Sequence, residues 1–291
     1  MNKSVMCKYL LSFVLVFNAV YAGVIKPENA QQHRDILVVS GNRSSYYLLK
    51  DESLVYKVKG PQRIKIYSRA ALTRNGSKSN DFEFEIQLNG NQPLQAHHQQ
   101  QVSKAVKSPE HPNHFYTQSA RDYVNIPAGV NEITLRPKKK SNPVLIRIVE
   151  DAGGVKGKRK RVDALSEQSP VKLVSNGKSV SYYPLLKDHP LFVTMEGPAN
   201  LEITTRLGYD PQMGEEEDYR LQILDNNHVL GTYYFSTSRS EETRVEGQLN
   251  LSTGKWRSCD IKLGKGMHEI KLKLLDEGRQ VFVKLTQISG D

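Results

Sequence analysis

The chain has almost no cysteine: Cys7 and Cys259 are the only two in 291 residues. Cys7 falls inside an N-terminal apolar run, which leaves Cys259 as the single thiol of the remainder. One cysteine makes no intramolecular bridge, so the fold must be held by its core rather than by disulfides. Tryptophan is scarcer, with Trp256 alone. No stretch keeps a 3.6-residue apolar period over three turns, which argues against a helical architecture. Beyond the N-terminal run, no segment is long and apolar enough to be read as a membrane span. There is no nucleophile elbow, no phosphate-binding glycine loop, no zinc-protease helix and no recognisable pair of catalytic carboxylates. These absences set aside the common hydrolase and nucleotide-binding classes. They lead to the expectation of a non-catalytic protein with no cofactor and no metal site.

What is present is a duplication. Ser45-Tyr46-Tyr47, Leu54, Gly60-Pro61 and Arg69 recur as Ser181-Tyr182-Tyr183, Leu191, Gly197-Pro198 and Arg206. A shift of 137 positions also superposes Asp81 on Asp218, Ile86 on Ile223, Gly129 on Gly266, Leu135 on Leu272 and Val144 on Val281. Pro184 is the one inserted residue upstream. Each copy, at roughly 110 residues, is long enough to bury a core of its own.

Lys3 and Lys8 precede or enter an apolar run, Tyr9 to Val20, that ends in Val20-Tyr21-Ala22. This pattern reads as a secretory signal peptide over 1–22. Residues 23–35 are expected to be a mobile lead-in. Within each copy, apolar and polar residues alternate as in half-buried strands: Ile64 and Ile66, Phe82, Phe84 and Ile86, then Leu201 and Ile203, Tyr219, Leu221 and Ile223. Gly60-Pro61 and Gly197-Pro198 read as turns between strands, as do Pro127-Ala128-Gly129 and Gly264-Lys265-Gly266. Asn89-Gly90 is a type I′ hairpin signal. The expected fold class is all-β: two tandem antiparallel β-sandwich domains, jelly-roll-like, over 36–150 and 171–291. Between them, 151–170 with Lys158-Arg159-Lys160-Arg161 reads as a basic linker.

Charge is unevenly placed. The chain carries +10 in all, and between Gly41 and Glu150 it has 17 basic against 9 acidic residues. From Val171 to Asp291 the balance is 15 against 17. A basic first copy attracts anionic partners. In a secreted protein these are acidic glycans or other cell-envelope polymers rather than nucleic acid.

Several clusters invite chemistry. His97, His98, His111 and His114 are confined to the first copy, but their spacing is no metal motif and they read as loop histidines. Asp210 with Glu215-Glu216-Glu217-Asp218 lacks the spacing of a calcium loop and reads as a solvated turn. The matching Arg74-to-Lys78 loop has the opposite sign, which suggests that the acidic loop meets the basic domain or its linker. Trp256, with Tyr233 and Tyr234, is the candidate platform for stacking on sugar rings. Arg69 and Arg206, with Ser103 and Ser240, are shared by both copies and are the candidates for binding an anion.

One copy, with its early Tyr-rich strand, its Gly-Pro turn and its late Gly129 or Gly266 turn before two closing strands, resembles the secreted bacterial β-sandwich domains that accompany enzymes. Carbohydrate-binding modules and pre-peptidase C-terminal domains are of this type. The resemblance implies a non-catalytic accessory or binding role. The expected function is therefore a secreted or periplasmic binding protein for a glycan or anionic envelope polymer. The alternative is an envelope structural module that docks to other secreted or outer-membrane proteins.

Overall fold

A computed structural model describes residues 23–29, 34–73, 80–151, 153–154, 157–248 and 250–289. The expected signal peptide and the Arg74-to-Lys78 loop lie outside the described residues. The first copy contains β1 (Val24–Ile25), β2 (Arg34–Val39), β3 (Asn42–Leu49), β4 (Leu54–Thr73), β5 (Asp81–Leu88), β6 (Leu94–Gln99), β7 (Val102–Ser103), β8 (Val106–Lys107), β9 (His114–Thr117), β10 (Ala120–Pro137) and β11 (Val144–Asp151). The second contains β12 (Lys158–Val162), β13 (Val171–Ser175), β14 (Lys178–Leu185), β15 (Leu191–Tyr209), β16 (Glu216–Asp225), β17 (His228–Val245), β18 (Ser252–Gly254), β19 (Arg257–Leu274) and β20 (Val281–Ser289). Strand covers 72% of the described residues and helix none, so the protein is all-β, two sandwiches in tandem. No helix among the described residues is long and apolar enough to cross a membrane.

The Gly-Pro pairs are not turns between strands. Gly60-Pro61 lies inside β4 and Gly197-Pro198 inside β15, and both X-Pro bonds are cis. Leu54–Gly60 pairs with the second half of β10, which also holds β5. Gln62–Ser68 pairs with the first half of β10, while Arg63–Ala70 pairs with β11. One strand thus serves both layers and bends where it passes between them, as strands do at sandwich corners. The partner strand bends with it: the register of β10 shifts between Ile126 and Gly129, at the supposed Pro-Ala-Gly turn. The bend presses the two backbones together. A Cβ on Gly60 would meet the Pro127 carbonyl oxygen at 1.9 Å, and one on Gly197 would meet that of Gly264 at 1.8 Å. The dipeptide supplies a close approach, which local turn preference does not distinguish from a reversal.

The alternating residues behave as their period requires. Ile64, Ile66, Phe84, Ile86, Ile133 and Leu135 are fully buried in the core of the first sandwich. Leu201, Ile203, Leu221, Ile223, Ile270 and Leu272 repeat this in the second. The paired tyrosines have a different explanation. Successive side chains on a strand point to opposite faces. Tyr47 enters the main core, whereas Tyr46 enters a smaller one on the outer face with Leu37, Val106, Tyr116 and Leu145. Tyr183 and Tyr182 divide in the same way. Both faces of these strands are covered, so both rings are buried. The hairpins follow local chemistry: Asn89 and Gly90 have φ of 50° and 75°, and Asn226 and Asn227 have 46° and 64°, as type I′ turns need.

Two connecting segments differ from expectation. Gly23–Asn29 are docked rather than mobile: Val24 and Ile25 pair with β11, and the Asn29 side chain bonds Ser53 O and Val55 N. Lys158–Val162, expected in a spacer, pairs antiparallel with β20 and extends the second sandwich. Basic side chains on such a strand discourage further edge pairing, which accounts for a charge run inside a sheet.

The two sandwiches share a sheet. Asp122–Val124 of β10 pairs parallel with Thr232–Tyr234 of β17, whereas the strand pairs within each sandwich are antiparallel. Alternation on β17 then sends consecutive tyrosines to different owners. Tyr234 joins the core of the first sandwich, and Tyr233 stays in that of the second. Tyr123 reciprocates by packing on the second core, stacked on Tyr233 with ring centroids 4.2 Å apart. Tyr234 donates to Asp122 at 3.3 Å, and the same buried carboxylate bonds His98 Nε2 at 2.9 Å. Burial, with Asp122 alongside, holds the Tyr234 phenol well above its ordinary value, so it remains a donor.

Two outcomes are expected. Gly60→Ala or Gly197→Ala forces backbone apart at a corner and should destabilise the protein by about 2 kcal/mol or more, read as a fall in denaturation midpoint; Gly41→Ala, at an open turn, should cost less. Tyr234→Ala removes a buried ring from the neighbour's core at a cost of about 3–5 kcal/mol. Calorimetry should show it splitting a single cooperative melt into two, whereas Tyr234→Phe keeps one.

Candidate ligand-binding groove

The junction leaves two open grooves, and Trp256 stands on the ridge between them. The smaller, about 500 Å³, is lined by Gln62, Arg63 and Asp151 of the first copy and by Glu202, Asp260 and Trp256 of the second. The larger, about 1410 Å³, has Asn89, Asn91 and Asn125 on one wall and Asp218, Arg239 and Trp256 on the other.

Trp256 lies in the short connection from β18 to β19, and that backbone is fixed on both sides. Lys255 N donates to Ser238 O at 2.9 Å, and the Thr237 hydroxyl donates to Lys255 O at 2.8 Å. Arg257 Nε donates to Ser236 O at 2.6 Å and its Nη1 to Trp256 O at 3.0 Å. The indole is nonetheless 59% exposed, while Tyr209, Tyr219 and Phe235 are buried. A rigid connection therefore holds a large apolar ring outward.

Arg63 organises the floor of the smaller groove. Its Nε donates to Asp151 at 2.5 Å and its Nη2 to Asp260 at 3.2 Å. Its guanidinium lies 5.7 Å from the Tyr123 ring centroid and 5.6 Å from that of Tyr233. Burial alone would lower its pKa, but the neighbouring carboxylates, Asp151 above all, outweigh this and hold it charged. Arg159 pairs with Glu202 at 2.8 Å beside it. In the larger groove, burial pushes the Asp218 carboxyl up, against a hydrogen bond from Ser236. The lining mixes both signs with amides and hydroxyls, and suits a neutral, hydroxyl-rich ligand better than a dense anion.

The other sequence candidates fall as follows. Tyr233 and Tyr234 are 2% and 4% exposed, so they do not form a surface platform with Trp256; the neighbouring sandwich covers them. Arg69 Nη1 donates to Thr117 O at 2.7 Å, and Arg206 Nη1 donates to Gly254 O at 2.9 Å. Those two carbonyls are equivalent in the repeat, so the shared arginine ties the same pair of strands in each copy. Arg206 also lines the larger groove. Ser103 accepts from Ala105 N at 3.3 Å, and Ser240 bonds Thr243 at 3.3 Å, both within local turns. Cys259 is buried and its thiol pushed up by burial, out of reactive range.

The four histidines do not converge. His97 bonds Glu83, His98 bonds Asp122, and His111 stacks on His114. The acidic stretch turns partly inward: Glu217 bonds Arg279 and Gly214 N, and Asp210 caps Gln212 N. Among the described residues, an ion pair between the copies forms at Arg63 and Asp260. Neither residue stood out in the sequence. A usable signal was there, because Tyr123 and Asp260 occupy the same repeat position on a core strand, as do Arg63 and Asn200.

No family model matches the chain, and no curated protein matches it in sequence. Among solved structures it is similar to the tandem CBM51 modules of Sp3GH98, the family 98 glycoside hydrolase from Streptococcus pneumoniae SP3-BS71, at 11% identity and a TM-score of 0.25, over 92% of this chain and 96% of that one. It is similar to the N-terminal CBM22-1–CBM22-2 tandem domain of Paenibacillus barcinonensis Xyn10C, at 11% identity and a TM-score of 0.24, over 93% and 98%. It is also similar to the ANXUR2 extracellular domain of Arabidopsis thaliana, at 10% identity and a TM-score of 0.23, over 91% and 90%.

Proposed function

We propose that this is a secreted or periplasmic, non-catalytic binding protein that takes a glycan of the cell envelope across the junction of its two sandwiches. The observation that carries the reading is Trp256, the sole tryptophan, held outward by a fixed backbone between two polar grooves. Sugar rings combine an apolar face with a rim of hydroxyls. Their recognition needs an aromatic surface and fixed polar groups nearby. Trp256 supplies the surface, and Gln62, Asn125, Arg159, Glu202 and Arg257 supply polar groups around it. The mixed charge of the lining favours a hydroxyl-rich chain over a purely anionic polymer. The basic first copy would then assist approach to an anionic envelope surface, an attraction that salt screens.

A glycan array probed with the full protein tests this. Binding to a set of glycans, weakened about tenfold or more in Trp256→Ala with the melting temperature unchanged, is the expected result. Undiminished binding by Trp256→Ala would remove the groove from the reading. No glycan bound, with envelope proteins co-purifying instead, would favour the docking alternative.

A further inference from the structure

Away from the junction, one cluster of side chains is built like a metal site. Asp35, Glu110 and His111 each offer one ligand atom, and these atoms all lie within 4.8 Å of one another. Asp35 is the second residue of β2, and the other two stand in the turn between β8 and β9. Ser108 joins them. Its hydroxyl donates to Asp35 Oδ1 at 2.8 Å, and its oxygen accepts the backbone N–H groups of Glu110 and His111 at 3.2 Å each. The ligands are thus positioned by one residue that is not itself a ligand, as outer-shell groups position metal ligands elsewhere. The His111 ring is steadied by His114, stacked with centroids 5.0 Å apart.

A further observation favours a cation at this place. Asp35 is only 7% exposed, and among the described residues no cation pairs with it or with Glu110. A buried carboxylate without a counter-charge is costly, and a bound cation offsets that cost. The fold does not require any of this. At the corresponding places the second sandwich has Val171, Gly247 and Gln248, with Leu251 in place of His114. Yet its strand β13 pairs with β14 as β2 pairs with β3.

We propose that Asp35, Glu110 and His111 bind one divalent first-row transition-metal ion, with zinc the best match. One imidazole nitrogen and two carboxylate oxygens suit such an ion, with a coordination position left open to solvent. Calcium demands six to eight oxygens, and this cluster offers an imidazole nitrogen among only three ligands. Because the ligands come from β2 and from the β8–β9 turn, the ion would also tie that turn to β2, which β8 already pairs with.

Calorimetric titration of untagged, chelator-stripped protein with zinc chloride is the test, with calcium and magnesium chloride as controls. One zinc should bind per chain and raise the melting temperature, because a ligand of the native state stabilises it. His111 is exposed, so His111→Ala should fold normally, lose at least tenfold in zinc affinity and lose the thermal shift. His97→Ala, on a histidine paired elsewhere with Glu83, should change neither. Failure of the wild type to bind zinc would overturn the proposal. So would equal binding by His111→Ala, or a calcium-induced shift that persists in that variant.

Discussion

The corner in the long strands is the constraint on which the rest of the structure depends. A sandwich made from short strands must fix each layer separately. Here β4 with β10, and β15 with β19, pass through both layers as continuous hydrogen-bonded pairs, so that setting one layer sets the other. The pair bends only because glycine meets a carbonyl where no Cβ fits. The bulge opposite supplies the extra length that the outer strand needs. With both layers held in this way, the loops at either end carry little of the fold. They are free to differ in charge and length between the copies.

The same geometry explains how the copies associate. On the first half of β10, one edge pairs with β4 and the other is left for β17. The equivalent half of β19 carries Cys259 and Asp260 where β10 has Asp122 and Tyr123. Asp260 instead meets Arg63 across the junction. Identical folds therefore make a junction in one direction only. Its contents, a stacked tyrosine pair, an arginine between two carboxylates and a buried His98–Asp122–Tyr234 chain, combine apolar burial with partnered charge. Charges buried in this way are tolerable because each has its partner. The grooves are a by-product of this junction, and they belong to neither sandwich alone.

What was legible in the sequence was local. Apart from the repeat, which a shift of 137 positions reveals, the strand period and the asparagine-rich hairpins depend on neighbours two to four residues away, and the structure has them at the expected places. Gly60-Pro61 was found but misread, because a turn and a corner ask the same of those residues. Tyr233 and Tyr234 read as surface aromatics because what buries them lies a hundred residues upstream. The basic run at Lys158 shows no alternation, yet it forms a strand because β20 offers it an edge. Asp35 and His111 stand far apart in the chain, and only the folding of β2 against the β8–β9 turn brings them together.

A duplicated chain nevertheless contains its own control. Where both copies keep a residue in one role, as Arg69 and Arg206 keep theirs toward equivalent carbonyls, the residue serves the fold. Where a position changes type between the copies, the shared fold does not depend on that side chain, and a role particular to one copy is open to it. Trp256 answers to Ser119, Tyr123 to Asp260, and His111 to Gln248. These three positions fall at the ridge between the grooves, at the junction, and in the Asp35 cluster. The first two depend on each other, because the ridge has two walls only while Tyr123 and Tyr233 hold the sandwiches in register. A ligand that spans the ridge would therefore touch both copies and be sensitive to anything that loosens the stack between them. The third lies on the outer layer of one sandwich and answers to a different chemistry.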